Sequence, residues 1–450
     1  MSRRTIRRGV AVLAAAVLLA SACSEDRSGT GSGSDGASQS TDSSGANGVE
    51  SCGPDELLVC ARSSSISNLV PAEATEANST PITLGMINQE NTAVGSFPEL
   101  SLGVQAAIDF VNEQLGGIEG HPVELEVCNT EFSAEGSTSC GQQFVISEVP
   151  AVLGGIDVFG NGVDVLADND VPFVGGIPVS TQSVTSPNSF QWSGGSWGAT
   201  IAFAAYAASE LKAKSAAIIY GDFGSIADGA AYGKRTLEKL GVEDVQLIPY
   251  PIISTDLGSP IQAAATSDPD VVFMLTADTG CKAAFDGVAN SGMTAQVFYT
   301  GACASPAIVS EAGDEKTNGT IFNVEGPINR SDPTPDSGLY VGVVEAYGDG
   351  LDPIGSATVS FRSFMNLYVV MRELAAEGGI GAITPDGITD ALRSKVDATS
   401  FMGHDYTCDG KQLEGLPALC SPQQILGEMQ GGQLNQLGTW LDVGKIYGAG

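Results

Sequence analysis

The chain has 450 residues, 42% of them hydrophobic, with 20 Lys+Arg against 53 Asp+Glu and a formal net charge of −33. Such a length fits two to three domains, and so large an acidic excess excludes a nucleic-acid partner and electrostatic adhesion to anionic lipid. Only two His, His121 and His404, are present, which argues against a zinc site or multi-His catalysis, and no apolar run reaches the ~18–20 residues of a membrane-spanning helix.

Residues 1–22 read as an export signal. Arg3, Arg4, Arg7 and Arg8 form a basic start, Val10–Ala20 is an apolar stretch too short to cross a bilayer, and small residues lead to Cys23. The run Ala20-Ser21-Ala22-Cys23 resembles the bacterial lipoprotein lipobox, with Leu19 four rather than three positions before the Cys. That resemblance implies lipidation of Cys23 and anchoring to the outer face of the cell membrane. Cleavage removes four cations and no acid, leaving a net charge of about −37. Residues 23–50, rich in Ser, Gly, Asp and Thr, cannot bury enough apolar surface to order themselves. At roughly 5–6 Å × √n, this flexible linker spans about 30 Å.

Apart from Cys23, eight Cys fall in four sequence-adjacent couples: Cys52/Cys60, Cys128/Cys140, Cys281/Cys303 and Cys408/Cys420. Eight Cys allow 105 connectivities. Nearest-neighbour pairing is the simplest, because each couple closes a short loop. A metal site is the rival reading, but no C-x-x-C exists. Neither a metal nor a cofactor is expected. Residues 51–80 read as an N-terminal extension holding the first couple.

From Pro81 onward, β-rich runs alternate with amphipathic helical runs. Ile82–Ile87 is a strand, Ser96-Phe97-Pro98-Glu99 a capping box with Ser96 as N-cap, and Leu100–Leu115 a helix stopped by Gly116-Gly117. Val123–Cys128 is the next strand, Ser137–Glu148 a helix, and Ala151–Gly154 and Pro172–Gly175 two more strands. The same grammar restarts after Ser193. Helices over 199–211, 226–240, 260–265 and 281–291 alternate with strands over 215–220, 245–249, 270–276 and 296–300. Helical runs near 338–347, 358–376 and 385–395 follow, then a strand-like C-terminal stretch. The pattern predicts an α/β fold of two doubly wound parallel-sheet lobes. Ligands bind such sheets beyond the carboxyl ends of the strands, so two facing lobes make a cleft.

The ordered set of Ile82–Ile87, Gly95, Ala106-Ala107, Asn112 and Gly116-Gly117-Ile118-Glu119-Gly120 resembles the start of a type I periplasmic binding protein, close to the branched-chain amino-acid-binding proteins of ABC importers. Ala151-Val152-Leu153-Gly154-Gly155, Val171-Pro172-Phe173-Val174 and Asp268-Pro269-Asp270-Val271-Val272-Phe273 continue the likeness, over about 81–445. It implies a three-segment hinge near Gly194-Gly195, Gly326-Pro327 and Met402-Gly403. Lobe 1 would be 81–192 plus 328–398, and lobe 2 would be 193–327 plus 399–450.

The loops after the strands carry the candidate ligand contacts: Asn88 and Glu90, Asp157, Ser180 and Thr181 in lobe 1, and Phe223 and Asp278 in lobe 2. Relatives hold a ligand carboxylate with hydroxyls and backbone N–H groups, a role that Ser180 and Thr181 match. Phe223 stands where amino-acid binders carry Tyr, and Ala302-Cys303-Ala304 stands where they often carry an acid. No Lys or Arg occurs between Ser63 and Leu211. A ligand that is neutral overall or carries an amine is therefore expected, with Asp157 or Asp278 accepting its donors. The reading is a monomeric, non-enzymatic solute-binding lipoprotein that captures a small molecule for a membrane ABC permease. One alternative is a secreted α/β enzyme, for which Gly194-Gly195-Ser196-Trp197-Gly198 is only superficially a nucleophile elbow. Another is a sensor presenting its solute to a membrane receptor.

Overall fold

In the computed structural model, which describes residues 52–92, 95–254, 256–325 and 334–448, the alternating pattern becomes two separate sheets. The export signal, Cys23, the linker and Gly326-Pro327 lie outside the described residues. The first sheet comprises β1 (Ile82–Asn88), β2 (Val123–Asn129), β3 (Val152–Gly154), β4 (Phe173–Val174) and β5 (Ser189–Phe190). All its pairings are parallel, in the order β2-β1-β3-β4-β5. The second holds β6 (Ser215–Gly221), β7 (Asp244–Tyr250), β8 (Val271–Leu275), β9 (Gln296–Tyr299) and β10 (Ile321–Val324), parallel in the order β7-β6-β8-β9-β10. An antiparallel hairpin, β11 (Gln424–Gln430) and β12 (Gln433–Leu441), extends it beyond β10.

Helices cover both faces of each sheet, so the central strands are apolar throughout. Val271-Val272-Phe273-Met274-Leu275 is buried at every position. On one face of the second sheet Phe203, Phe273 and Phe298 pack together; on the other, Phe285, Tyr299 and Phe322 do. The first lobe is built around two long helices, Pro98–Gln114 and Ala357–Gly378. The second of these comes from the later chain segment, as a two-lobe fold with a divided first lobe requires.

The expected capping box does not form. The helix begins at Pro98 with Phe97 as its N-cap, one residue past Ser96. Ser96 Oγ instead accepts from Asn91 N at 2.9 Å, and Glu99 accepts from Ser356 Oγ at 2.7 Å, tying this helix to the start of the later one. The helix ends as expected, at Gly116 and Gly117 with φ of +76° and +62°. All four nearest-neighbour disulfides are present. The extension lies on lobe 1: Leu57, Ala61 and Ile66 join its core, and Asp336 accepts from Ser65 N (2.7 Å), Ser65 Oγ (2.8 Å) and Met402 N (2.8 Å).

The first and third passages between lobes lie against each other. Gly194 and Gly198 allow this: a Cβ on either would sit 2.6 Å or 2.9 Å from Pro422 O. The third passage is a stretch rather than the single point expected at Met402-Gly403. Phe401, Met402, Tyr406, Cys408 and Cys420 pack in the lobe 1 core, whereas Leu413, Leu416 and Leu419 pack in the lobe 2 core. The loop closed by Cys408–Cys420 thus reaches from one lobe to the other before the chain enters β11.

At the junction sits a buried ion pair. Arg362 Nη2 lies 3.3 Å from Glu325 Oε2, with side chains 4% and 10% exposed. The guanidinium also donates to Trp192 O at 2.9 Å and to Glu325 O. Glu325 Oε1 accepts from Ser193 Oγ (2.9 Å), Gly194 N (2.9 Å) and Gln424 Nε2 (2.8 Å). One carboxylate, just after β10, therefore holds the first passage and the start of β11 together.

Candidate functional site

Residues that follow β2, β3 and β4 meet residues that follow β6 across the lobe junction. Asn88 is fully buried at the end of β1. Its Nδ2 donates to Phe97 O (2.8 Å) and Glu90 Oε1 (3.0 Å), and its Oδ1 accepts from Ile156 N (3.0 Å). Asn88 therefore fixes the β1 loop to the β3 loop. Glu90 is half-buried and also accepts from Ser101 Oγ at 2.6 Å.

Asp157, after β3, is 4% exposed and accepts from Ser137 Oγ (2.7 Å) and Gly160 N (3.2 Å). Ser180 is buried and caps the short helix Thr181–Thr185, accepting from Ser183 N at 3.3 Å. Gly160 lies between these two side chains, since a Cβ there would come within 2.7 Å of Ser180 Oγ. Thr181 is exposed and donates across the junction to Asp228 Oδ2 at 3.3 Å, on helix Gly224–Lys239. Asp278 opens helix Asp278–Ser291, half-buried, and accepts from Thr279 N at 2.7 Å. No hydrogen bond among the described residues joins it to the other six.

Phe223 precedes helix Gly224–Lys239 and meets two further rings. Its centroid lies 5.8 Å from Phe159, edge-on at 81°, and 6.4 Å from Phe132. Phe132 and Phe159 are themselves 5.4 Å apart. Phe132 follows β2 and carries φ of +53°, as does Glu131 before it. Nothing in Glu131-Phe132, which lacks Gly and Asn, announces a left-handed turn. Beside the β1 and β2 ends, buried Gln89 and Thr130 each leave an oxygen without a hydrogen-bond partner.

Ser196, the centre of the elbow-like run, lies on helix Gly195–Ser209 and donates its hydroxyl to Ser225 O at 2.9 Å. Among the described residues no group of three His, Cys, Asp or Glu is placed to hold a metal ion, and no helix is long and apolar enough to cross a membrane.

Burial pushes the carboxyl groups of Asp157 and Asp278 above the usual range; hydrogen bonds, led for Asp157 by that from Ser137, only partly offset it. A folded pKa above the unfolded one means the folded state binds the proton more tightly, so stability falls as pH rises through that window. Asp157→Asn carries no such penalty. The variant's melting temperature should gain on that of the parent as pH goes from about 4 to about 7. Melting curves across that range check this; a constant difference would mean that Asp157 does not titrate abnormally.

Comparison with known proteins finds a match to the family described as periplasmic binding protein over residues 81–416. Among solved structures, a leucine binding protein from Thermotoga maritima aligns with a TM-score of 0.66 at 14% identity, covering 79% of this chain and 98% of its own. A branched-chain amino acid transporter substrate binding protein from Streptococcus pneumoniae, in complex with isoleucine, aligns at 0.64 and 15%, covering 80% and 100%. A solute binding protein of an ABC transporter from Rhodopseudomonas palustris, in complex with p-hydroxybenzoic acid, aligns at 0.67 and 21%, covering 82% and 99%. No curated protein matches the chain.

Proposed function

Because the chain belongs to the periplasmic binding protein family, we propose that it is an extracytoplasmic solute-binding lipoprotein that holds a small amino-acid-like or neutral polar ligand between its lobes for an ABC permease. The observation that carries this is the meeting of loops from the carboxyl ends of both parallel sheets, where Phe223 of lobe 2 packs on Phe159 of lobe 1. Structural neighbours that bind isoleucine or p-hydroxybenzoic acid support a small organic ligand.

The seven candidate residues divide by role. Glu90, Thr181, Phe223 and Asp278 keep accessible surface and would touch the ligand. Asn88, Asp157 and Ser180 are buried and would shape the loops that do. Charge narrows the ligand further. The early lobe 1 segment has no Lys or Arg, and Arg362, which the later segment brings, already faces Glu325. Among the described residues of that segment Arg372 faces Glu119 and Arg393 donates to Asn188, so a multiply charged anion would meet carboxylates there, whereas an amine or a neutral amide meets acceptors. Lipidation of Cys23 would hold the protein, as a monomer, at the outer face of the membrane near its permease.

A thermal-shift screen of residues 51–450 against amino acids, amides, polyols and aromatic acids tests the ligand. A true ligand at 100 Kd should add about 2.7 kcal/mol. If only multiply charged anions shift the transition, the charge reading is wrong. Fractionation tests the anchor: the native chain should sediment with membranes and Cys23→Ala should not. A native chain found in the medium with a free Cys23 thiol would overturn the lipoprotein reading.

A further inference from the structure

The contacts of Phe223 with Phe132 and Phe159 join the two lobes directly. Phe132 and Phe159 belong to lobe 1, on the loops after β2 and β3; Phe223 belongs to lobe 2, on the loop after β6. All three rings are half-buried and packed in edge-on or tilted contact at 5.4–6.4 Å. These are favourable aromatic geometries.

The Phe132 loop is held at both ends. Thr130 N donates to Asn88 O (2.9 Å), Asn129 Oδ1 accepts from Glu131 N (3.0 Å) and Glu90 N (2.9 Å), and Ser133 caps helix Ala134–Ile146. Cys128–Cys140 ties the strand end to that helix. Between these fixed points, Glu131 and Phe132 both adopt left-handed backbone, which non-glycine residues rarely do. Such strain persists only where the surroundings impose it. Here it accompanies a Phe ring that packs on the opposite lobe.

We infer that Phe132, Phe159 and Phe223 form an aromatic latch that favours the closed arrangement of the lobes before any ligand enters, and that Phe132 and Phe223 thereby set how tightly and how long the cleft holds its ligand. Opening breaks both pairs made by Phe223 and leaves the Phe132–Phe159 pair intact. The hydrogen bond from Thr181 to Asp228 lies on the same junction and opens with them. A latch acts on the closed fraction, so its loss lowers apparent affinity by the factor by which that fraction falls. The consequence for affinity rests on the solute-binding reading; the closed ligand-free state does not.

Small-angle scattering of ligand-free residues 51–450 therefore comes first. The parent should be compact. Phe223→Ala and Phe132→Ala should each raise the radius of gyration, with the closed-to-open ratio falling on the order of tenfold. Phe132→Leu, which keeps an apolar side chain, should fall between. Near-UV circular dichroism establishes that each variant is folded; if an Ala variant is not, Phe132→Leu and Phe223→Leu carry the comparison. Parent and folded variants with the same radius overturn the latch. If the radii differ but no screened solute binds, the latch stands and the solute-binding reading fails. With a solute that binds the parent, the Ala variants should release it about tenfold faster. Weaker binding at an unchanged ligand-free radius would overturn the latch and leave the rings with ligand contact as their sole role.

Discussion

Arg362→Met should destabilise the protein by about 3–5 kcal/mol, because it removes one partner of an ion pair that is out of water on both sides. The guanidinium is 4% exposed and the Glu325 carboxylate 10%. The carboxylate keeps three donors after the change, from Ser193, Gly194 and Gln424, so the loss should lie toward the lower end of that range. Glu325→Gln is the sharper case. Its amide oxygen can still accept from the same donors, but the guanidinium is left buried without a counter-charge. The double change Arg362→Met, Glu325→Gln should recover much of the loss, since it leaves no unpaired buried charge and keeps an acceptor for Ser193, Gly194 and Gln424. Urea unfolding of the four proteins gives the coupling directly. Single changes that each cost under about 1 kcal/mol and add together would mean that the passages are held by packing and not by this pair.

The pair's placement has a mechanical consequence. Glu325 directly follows β10, and its acceptor oxygen gathers the first passage at Ser193-Gly194 and the start of β11 at Gln424, where the third passage ends. Arg362 belongs to the long helix of lobe 1. Lobe rotation about these passages can leave this node assembled while the contacts at Phe223 and Thr181 open. A rotation that spares the node and parts the latch is a hinge closure.

Much of this architecture is legible in the sequence, for a physical reason. Strands buried on both faces must be apolar along their length, and Val271–Leu275 could be little else. What escaped was short or set by distant partners. β10 has only four residues, too few for a periodic signal. Ser96 looked like a helix cap because hydroxyls cap helices, but its oxygen was already engaged by Asn91. The third passage could not be located from Gly403 because the loop between Cys408 and Cys420 divides its packing between both cores.

The site shows the same division. The candidate loops follow strands, as the sequence places them, but the sequence does not say which polar side chain faces solvent. Asn88 and Asp157 turned inward because buried loop N–H groups at Ile156 and Gly160 needed acceptors. Phe132 was invisible for a different reason, since its position depends on two left-handed residues with no glycine to mark them.

Complete reduction should remove on the order of 10 kcal/mol, as much as the whole stability of many domains, and leave the chain largely unfolded at 37 °C. Each bridge closes a loop in the unfolded chain, with sequence separations of 8, 12, 22 and 12 residues, and each contributes about 3 kcal/mol in the chain-entropy model. The bridges should not open together. Cys281 and Cys303 are both fully buried under lobe 2, so a reductant reaches them only after that lobe opens. Cys60 is half-buried in the extension, so Cys52–Cys60 should reduce first and cost the least, being the shortest loop. Cys128–Cys140 staples the half-buried edge strand β2 beneath the Phe132 loop, so its loss should loosen the lobe contact as well as the fold. Melting curves with the thiol count followed at each step test the order and the size. A chain with eight free thiols whose transition stays within about 1 kcal/mol of the oxidised one would show that apolar packing alone holds the lobes. The opposite outcome, a loss at each step that follows burial and loop length, would fit a protein whose stability depends on the oxidising side of the membrane.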